Sequence, residues 1–484
     1  MPDHKKESFV GNVMKYSIAT YLGFIISGLA LIIKGVLPSE SYAVPASFMA
    51  YTMSLMNVGM LGLDQSLLRF YREPPAGTTG REMFTACTRL SVLVMIVVGG
   101  IGSVFFSGPL ARAFGLGADG GSLVPFLFLN AALYMLVRYL NVLLRLENNV
   151  RAYTTETLWM QACLNLIYLL PGFFTHDARV FVLGAVMSFA GVAAFYWRRA
   201  MKAQPADARP AHRLPALTIY RSALPYGIVL APAAILIPLY QAICLSFLAS
   251  YTTKAEQGSF VFAYTLAQLV TTVQAGFSTY WGPYVYANYR TEQERIGRVH
   301  DLLNFLIFGF FCLLIMFEDI IFVIFPSKSA CLSYFPLMML AVVFAILCEG
   351  TVYGNTIARR PYHDTIGTAV GVAADLAFCS FLVPQYGSLG AAAALVAANA
   401  SMFLYRTVTG QYYYRTVPSY SRTVCGFLLA LAAAAVGVLF ARQFVVKFLL
   451  TGAILFVYCN LYRVQLSKLW QLGMGILRKL LHKS

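Results

Sequence analysis

The sequence predicts an all-α polytopic membrane protein, and three observations support this fold class. Of the 484 residues, 59% are hydrophobic and only 12% are charged, and the mean hydropathy is +0.68. Successive apolar runs continue from Gly11 to Arg463, and each reaches the roughly 20 residues that a helix needs to cross a hydrocarbon core of about 30 Å. The polar segments between these runs are too short for a soluble domain of useful size.

The apolar runs and the polar segments between them predict about fourteen transmembrane helices. The basic N-terminal segment MPDHKKESFVGNVMKYS precedes a run that is too long for a signal-peptide core, so we expect the first span to stay in place. The predicted spans are approximately 11–36, 43–66, 82–106, 122–144, 152–174, 179–197, 220–248, 259–286, 301–325, 332–357, 364–384, 387–405, 423–441 and 445–462.

The positions of the basic residues support an even number of spans. Lysine and arginine concentrate in the cytoplasmic loops of membrane proteins. If the N-terminus is inside, most of the 36 lysines and arginines fall in segments that the fourteen spans place in the cytoplasm. We therefore expect both termini to be cytoplasmic, and we attribute the net charge of +16 to this topology and not to nucleic-acid binding.

A long polar break indicates two helix bundles. The stretch from Trp197 to Ser222 is rich in Ala, Pro and Arg and divides the first twelve spans into six and six. A weak repeat supports this division, because SFMAYTMSLMNVG at Ser47 resembles SFVFAYTLAQLV at Ser259. The predicted organisation is an N-terminal six-helix bundle at 1–197, a cytoplasmic linker at 198–219, a C-terminal six-helix bundle at 220–408, helices 13 and 14 at 409–463, and a basic amphipathic cytoplasmic tail at 464–484.

The C-terminal tail, LSKLWQLGMGILRKLLHKS, has leucines at helical spacing with lysines and arginines between them. This pattern is typical of a helix that lies along the inner membrane surface. A helix that docks on a partner protein is the alternative.

Four basic residues in the first half are candidates for binding an anionic head group. Arg69 ends span two, Arg89 lies about two turns into span three, and Arg138 lies about two turns from the cytoplasmic end of span four. A guanidinium group matches phosphate oxygens and keeps its charge. We expect these arginines to line an inward-facing cavity, with Lys34 as a second contact near the outer end of span one. Snorkelling to the interface is the alternative for each.

Two acidic residues in the second half are candidates for ion coupling. Glu349 lies in CEGTVYGN of span ten, and Asp375 lies in GVAADLAFC of span eleven, near the middle of the membrane. Hydrocarbon favours the neutral form of a carboxyl group, which suits reversible binding of a proton or a sodium ion. The alternative is a carboxylate that a hydroxyl, amide or arginine on a neighbouring helix satisfies.

Aromatic and amide side chains on the two similar helices are candidates for sugar contacts. Tyr264, Gln268 and Trp281 combine rings that stack on sugar faces with an amide that bonds to hydroxyls. Interfacial belts and core packing explain most such residues in membrane helices.

The sequence indicates no metal site, no cofactor and no enzyme. The nine cysteines are scattered singly, without ligand spacing, and are interpreted as small core residues. The six histidines fall in predicted tails or loops and do not cluster. The sequence contains no Walker loop, no HExxH and no GxSxG.

Two motifs resemble a known family. GLDQSLLRFYRE closes span two, and FLVPQYGSLGAAAA, Phe381 to Ala394, joins spans eleven and twelve. Both are similar to the polysaccharide and O-antigen flippases of the multidrug/oligosaccharidyl-lipid/polysaccharide exporter superfamily, and the resemblance covers essentially the whole chain. The more specific turn, at Pro384 to Ala392, marks the superfamily and not the substrate.

The resemblance implies both an architecture and a function. It implies two pseudo-symmetric six-helix bundles around a central cavity that opens alternately to either side, followed by two C-terminal helices. It further implies a prokaryotic cell membrane and transfer of undecaprenyl-diphosphate-linked oligosaccharide from the inner to the outer leaflet. Coupling to H⁺ or Na⁺ is the hypothesis that the intramembrane acids suggest. The polysaccharide polymerase and the glycosyltransferases of the pathway are the partners that such a function suggests.

Several alternatives stay open at this point. A flippase for lipid II or a spore-wall precursor would need almost the same chemistry. A drug/cation antiporter of the same superfamily would favour an acidic cavity in the first half over arginines. A membrane scaffold without transport would not need the embedded charges. A polymerase or ligase would usually show a large outer loop, whereas the longest predicted here, Ser107 to Gly121, is short.

Overall fold

A computed structural model describes residues 9–71, 74–117, 120–147, 149–202, 216–358, 360, 362–467 and 471. These residues are helical with short connections and form no β-strand, which confirms the all-α fold class. The helices are α1 (Phe9–Val36), α2 (Ser39–Met60), α3 (Leu63–Phe70), α4 (Gly80–Phe105), α5 (Ser107–Ala113), α6 (Val124–Leu146), α7 (Val150–Asn165), α8 (Ala178–Lys202), α9 (Ala216–Leu236), α10 (Leu239–Tyr251), α11 (Lys254–Asn288), α12 (Gln293–Ile324), α13 (Phe335–Thr351), α14 (Tyr353–Ile357), α15 (Tyr362–Tyr413), α16 (Tyr420–Leu439) and α17 (Phe444–Leu461).

The protein is a multi-pass membrane protein. Within the described residues, nine helices are long and apolar enough to cross a membrane, or ten if the bent pair α2 and α3 is one span. The total of fourteen spans stays a prediction. Some predicted spans are interrupted in the structure: a short 3₁₀ segment, Ile167–Phe173, follows α7, and a break near Pro238 separates α9 from α10.

The chain forms two compact units. Unit 1 comprises Met1–Tyr280 and Val372–Ala394, and unit 2 comprises Trp281–Gly371 and Leu395–Ser484. In unit 1, α2 and α8 both pack against α6, and α1 packs against α7. In unit 2, α12 packs against α13, α16 and α17. The six-plus-six organisation stays a prediction. Residues 203–215 of the predicted linker and most of the predicted tail lie outside the described residues.

The second predicted span bends at the motif that closes it. The sequence predicts one helix over 43–66, but α2 and α3 meet at an angle of 56°. Leu61 and Gly62 both have left-handed backbone conformations, with φ of 48° and 69°. A Cβ atom on Gly62 would lie 2.1 Å from the carbonyl oxygen of Gly227. Glycine is therefore required here both for the turn and for the close approach of α9.

A second break lies at the predicted turn in α15. Gly387 has φ of 54° and ψ of −128°, so the helix kinks where the sequence predicts a turn at Pro384 to Ala392. The backbone N–H of Ser388 donates a hydrogen bond of 2.8 Å to Oε1 of Glu256. This carboxylate caps the helical segment that begins after the kink, since the first N–H groups of a helix have no partner within it.

Candidate functional site

The three predicted head-group arginines lie on three helices of unit 1, α3, α4 and α6, which pack against one another. Arg69 is exposed in the last turn of α3, with its guanidinium group 5.6 Å from the Phe70 ring centre. Arg89 on α4 is also exposed, and Arg138 on α6 is half-buried. The structure thus places the three residues on neighbouring helices, while their role as ligands stays a prediction.

A buried acid that the sequence analysis missed lies beside Arg138. Glu156 on α7 is fully buried, and its Oε2 atom accepts a hydrogen bond of 2.5 Å from the Asn141 amide. Its Oε1 atom has no hydrogen-bond partner among the described residues. Arg138 is close enough to Glu156 for an electrostatic interaction, although the two form no ion pair within the described part of the chain. Glu156 is the only acidic residue in the sequence of α7, which is the signal that could have identified it.

Lys34 lies inside unit 1 and not at its surface. Its side chain on α1 is 5% exposed, and its Nζ atom donates a hydrogen bond of 2.8 Å to Oγ1 of Thr265 on α11. No carboxylate among the described residues pairs with it. An ammonium group without a counter-ion is costly to bury. The burial of Lys34 does not fit the snorkelling alternative, and its role as a head-group ligand stays a prediction.

A small polar cluster lies where α3 ends and α4 begins. The Nη2 atom of Arg81 lies 2.6 Å from Oε1 of Glu147, which also accepts a hydrogen bond of 3.2 Å from the Tyr71 hydroxyl. Burial and the Glu147 carboxylate raise the pKa of Tyr71 to about 12, so it is a neutral donor at physiological pH. The cluster fixes the end of the bent second span.

Asp375, the first ion-coupling candidate, lies in unit 1 between two thiols. It is fully buried on α15, and its Oδ1 atom lies 3.6 Å from Sγ of Cys244 and 3.7 Å from Sγ of Cys379. Asp375 and Cys379 are four residues apart, but no spacing rule connects them to Cys244, which is 131 residues away from Asp375. The second candidate, Glu349, belongs to α13, but its side chain lies outside what the structure describes.

The three predicted sugar contacts are divided between the units. Tyr264 and Gln268 are half-buried on α11 in unit 1, where Gln268 accepts hydrogen bonds from the Thr271 hydroxyl. Trp281 belongs to unit 2, is buried, and stacks on Tyr284 at 5.5 Å between ring centres. Tyr264 also lies near Asp375. Their contact with a sugar stays a prediction.

Unit 2 contains buried ion pairs that the sequence analysis did not identify. Lys447 on α17 is fully buried and lies 2.9 Å from Oε1 of Glu318 and 2.5 Å from Oδ2 of Asp319, both on α12. Arg422 on α16 lies 2.8 Å from Oδ2 of Asp301. These ion pairs connect α12 to α16 and α17.

No protein-family model matches the sequence, and no curated protein matches it. Among solved structures, the chain is similar to the lipid II flippase MurJ in an inward closed conformation. The TM-score is 0.63 at 12% identity, over 93% of this chain and 99% of that chain. A structure titled protein A has a TM-score of 0.55 at 17% identity, over 84% of this chain and 96% of that one. At these identities the similarity shows the fold, which is that of a polytopic helical membrane protein.

Proposed function

We propose that this protein is a flippase that moves undecaprenyl-diphosphate-linked oligosaccharide from the inner to the outer leaflet by alternating access. The observation that supports this proposal most is the fold, which matches over 93% of the chain a structure named as a lipid II flippase. The resemblance of the whole chain to polysaccharide flippases is the reason for proposing a polysaccharide repeat unit as the cargo, while the turn at Pro384 to Ala392 marks only the superfamily. A lipid II flippase is the second candidate, because MurJ itself carries that name.

The diphosphate is proposed to bind the basic side chains of unit 1. Lys34 is buried with a hydroxyl partner and no carboxylate among the described residues, so a phosphate oxygen would supply the missing negative charge. Arg89 and Arg138 lie on helices that pack together, and Arg69 lies at the end of the bent span. An anion that enters from the cytoplasm would meet Arg69 first and the deeper arginines next.

Ion coupling is proposed to involve Asp375. Its carboxylate is fully buried, and no lysine or arginine pairs with it among the described residues. A proton or a sodium ion would neutralise it, and release of that ion would restore a costly buried charge. Glu349 is the second proposed coupling residue. Tyr264, Gln268 and Trp281 are proposed to contact the sugar.

The proposed setting is the cell membrane of a prokaryote, with both termini in the cytoplasm. Glycosyltransferases would supply the cargo on the cytoplasmic side of the membrane, and a polysaccharide polymerase would consume it on the outer side. The proposal involves no nucleic acid and no cofactor.

The test is reconstitution of the full-length protein in proteoliposomes with a fluorescent undecaprenyl-diphosphate oligosaccharide. A membrane-impermeant quencher reports the fraction of label that has reached the outer leaflet. We expect the protein to speed this exchange at least tenfold over empty vesicles and to leave a fluorescent phosphatidylcholine unaffected. An exchange rate equal to that of empty vesicles would refute the flippase proposal.

Two parallel arms of the experiment distinguish the candidates. Labelled lipid II replaces the oligosaccharide lipid in one arm, and an organic drug cation is offered in the other. Faster exchange of lipid II than of the oligosaccharide lipid would favour the second candidate. Gradient-driven movement of the drug cation alone would favour an antiporter. Arg112→Gln, which removes an exposed charge at α5, is the control for an unspecific charge effect.

A further inference from the structure

Two cysteines and one aspartate form a compact cluster inside unit 1. The Sγ atoms of Cys244 and Cys379 lie 3.6 Å apart, and they lie 3.6 Å and 3.7 Å from Oδ1 of Asp375. All three side chains are fully buried. One ligand atom from each residue thus lies within 4.8 Å of the other two.

Two helices hold this cluster in place. Asp375 and Cys379 are four residues apart on α15 and therefore share one face of that helix. Cys244 comes from α10, and its thiol also lies 3.8 Å from the carbonyl oxygen of Ala391. Ligands on regular helices keep their spacing better than ligands on loops.

The spacing of the three atoms fits a small tetrahedral metal ion. With Zn–S bonds of about 2.3 Å and Zn–O bonds of about 2.0 Å, a tetrahedral zinc site separates two sulfurs by roughly 3.8 Å and a sulfur from an oxygen by roughly 3.5 Å. The observed separations of 3.6, 3.6 and 3.7 Å differ from these by roughly 0.2 Å or less. Small side-chain movements would be enough to close the site around an ion.

A second observation points to a positively charged ligand. The Oδ2 atom of Asp375 is buried and has no hydrogen-bond partner among the described residues. Thiols are weak donors, so Oδ1 is also poorly satisfied. Because two of the three ligand atoms are sulfur, the cluster favours a thiophilic ion over Mg²⁺, Ca²⁺ or an alkali ion, which prefer oxygen ligands.

We propose that Cys244, Asp375 and Cys379 bind a thiophilic divalent cation of the Zn²⁺ type. On binding, two S–H bonds break and their protons leave to solvent, while two metal–sulfur bonds and one metal–oxygen bond form without electron transfer. The bound ion ties α10 to α15. Such an ion would occupy the carboxylate to which the proposed function assigns a proton or a sodium ion, so the two roles of Asp375 exclude each other. Metal binding is measurable without any lipid-linked substrate or ion gradient, and it therefore decides between them.

The test uses the purified full-length protein in detergent, reduced and stripped of metal, with Co²⁺ as a spectroscopic probe. We expect one Co²⁺ per chain, with sulfur-to-cobalt charge-transfer bands in the near ultraviolet and the strong visible bands of a tetrahedral site. Zn²⁺ should displace the cobalt and abolish these bands. Cys244→Ser, Cys379→Ser and Asp375→Asn should each weaken binding at least tenfold, whereas Cys163→Ser, which removes another buried thiol of unit 1, should not.

The burial of the ligands requires a second arm in which the ion can enter during synthesis. Cells that produce the wild type and the Cys244→Ser/Cys379→Ser variant grow in zinc-supplemented medium, and elemental analysis gives zinc per chain. We expect about one ion for the wild type and near none for the variant. The proposal is overturned if wild type and variant carry equal zinc and neither arm gives thiolate–cobalt bands that depend on Cys244. The elution profile and thermal midpoint of each variant establish that it is folded.

Discussion

Buried charged side chains have different partners in the two units. In unit 2, Lys447 is fully buried but lies 2.9 Å from the carboxylate of Glu318. In unit 1, Lys34 is buried to a similar degree, and it donates a hydrogen bond to the hydroxyl of Thr265. Asp375 in unit 1 likewise has two thiols beside it and no cation among the described residues.

Under the proposed function, this difference distinguishes residues that maintain the fold from residues that bind ligands. Burial of an ion costs several kcal/mol, and an opposite charge already in place offsets that cost within the protein. A buried ion without such a partner retains its strongest interaction for a ligand of opposite charge. We therefore expect substitutions of paired charges to change stability, and substitutions of unpaired charges to change binding and transport.

The largest expected effect is on stability in unit 2. Lys447→Met leaves Glu318 and Asp319 without their cation, so we expect the free energy of unfolding to fall by about 3–5 kcal/mol. Thermal unfolding of the purified protein and its yield from membranes measure this loss. Adding Glu318→Gln to the variant should recover part of it, because one uncompensated carboxylate disappears. An unchanged thermal midpoint in Lys447→Met would contradict the comparison.

The next largest effect is on transport through the arginines of unit 1. Arg89→Gln combined with Arg138→Gln removes two charged donors, each worth about 1.5–3 kcal/mol to a phosphate. We expect flipping of the oligosaccharide lipid to fall roughly 100-fold or more, with membrane abundance unchanged. Wild-type transport by the double variant would exclude both residues as head-group ligands. Arg112→Gln serves as the matched control.

Lys34 gives a sharper contrast with Lys447, since the two variants should differ in both readouts. Lys34→Gln removes a buried charge without a carboxylate partner, so we expect the thermal midpoint to stay the same or to rise. Flipping at low substrate concentration should fall roughly 10-fold to 100-fold. A large loss of stability with normal transport would place Lys34 among the residues that maintain the fold.

The smallest expected change in rate is at Asp375. In the metal-free protein, Asp375→Asn keeps the shape of the side chain and removes an unpaired buried charge, so stability should stay the same or rise. We expect transport to persist while its rate no longer responds to an imposed proton or sodium gradient. The measurement compares flipping with and without each gradient. A wild-type response to the gradients would exclude Asp375 from coupling.

The features of the fold that could be predicted from the sequence are those that depend on local sequence patterns. Hydropathy alone indicated the all-α membrane fold, and the motif at Pro384 to Ala392 located the kink that the structure has at Gly387. The bend at Leu61 was not predictable, because a leucine in an apolar run carries no signal for a left-handed conformation.

The contacts between distant residues were not predictable from one sequence. Cys244 and Asp375 are 131 residues apart, and Lys447 and Glu318 are 129 apart, so no spacing rule connects them. Arg89 and Arg138 lie on α4 and α6, which pack together, but depth along a helix carries no information on which charges have partners. That distinction depends on tertiary packing.

The hydrogen bond between Glu256 and Ser388 has a consequence for biosynthesis. The ribosome makes the acceptor 132 residues before the donor, so the carboxylate exists long before the turn it will cap. The hydrogen bond can therefore form only after α12, α13, α14 and the first part of α15 have been synthesised. If the connection between α10 and α11 were displaced, the backbone N–H group of Ser388 would lose its acceptor.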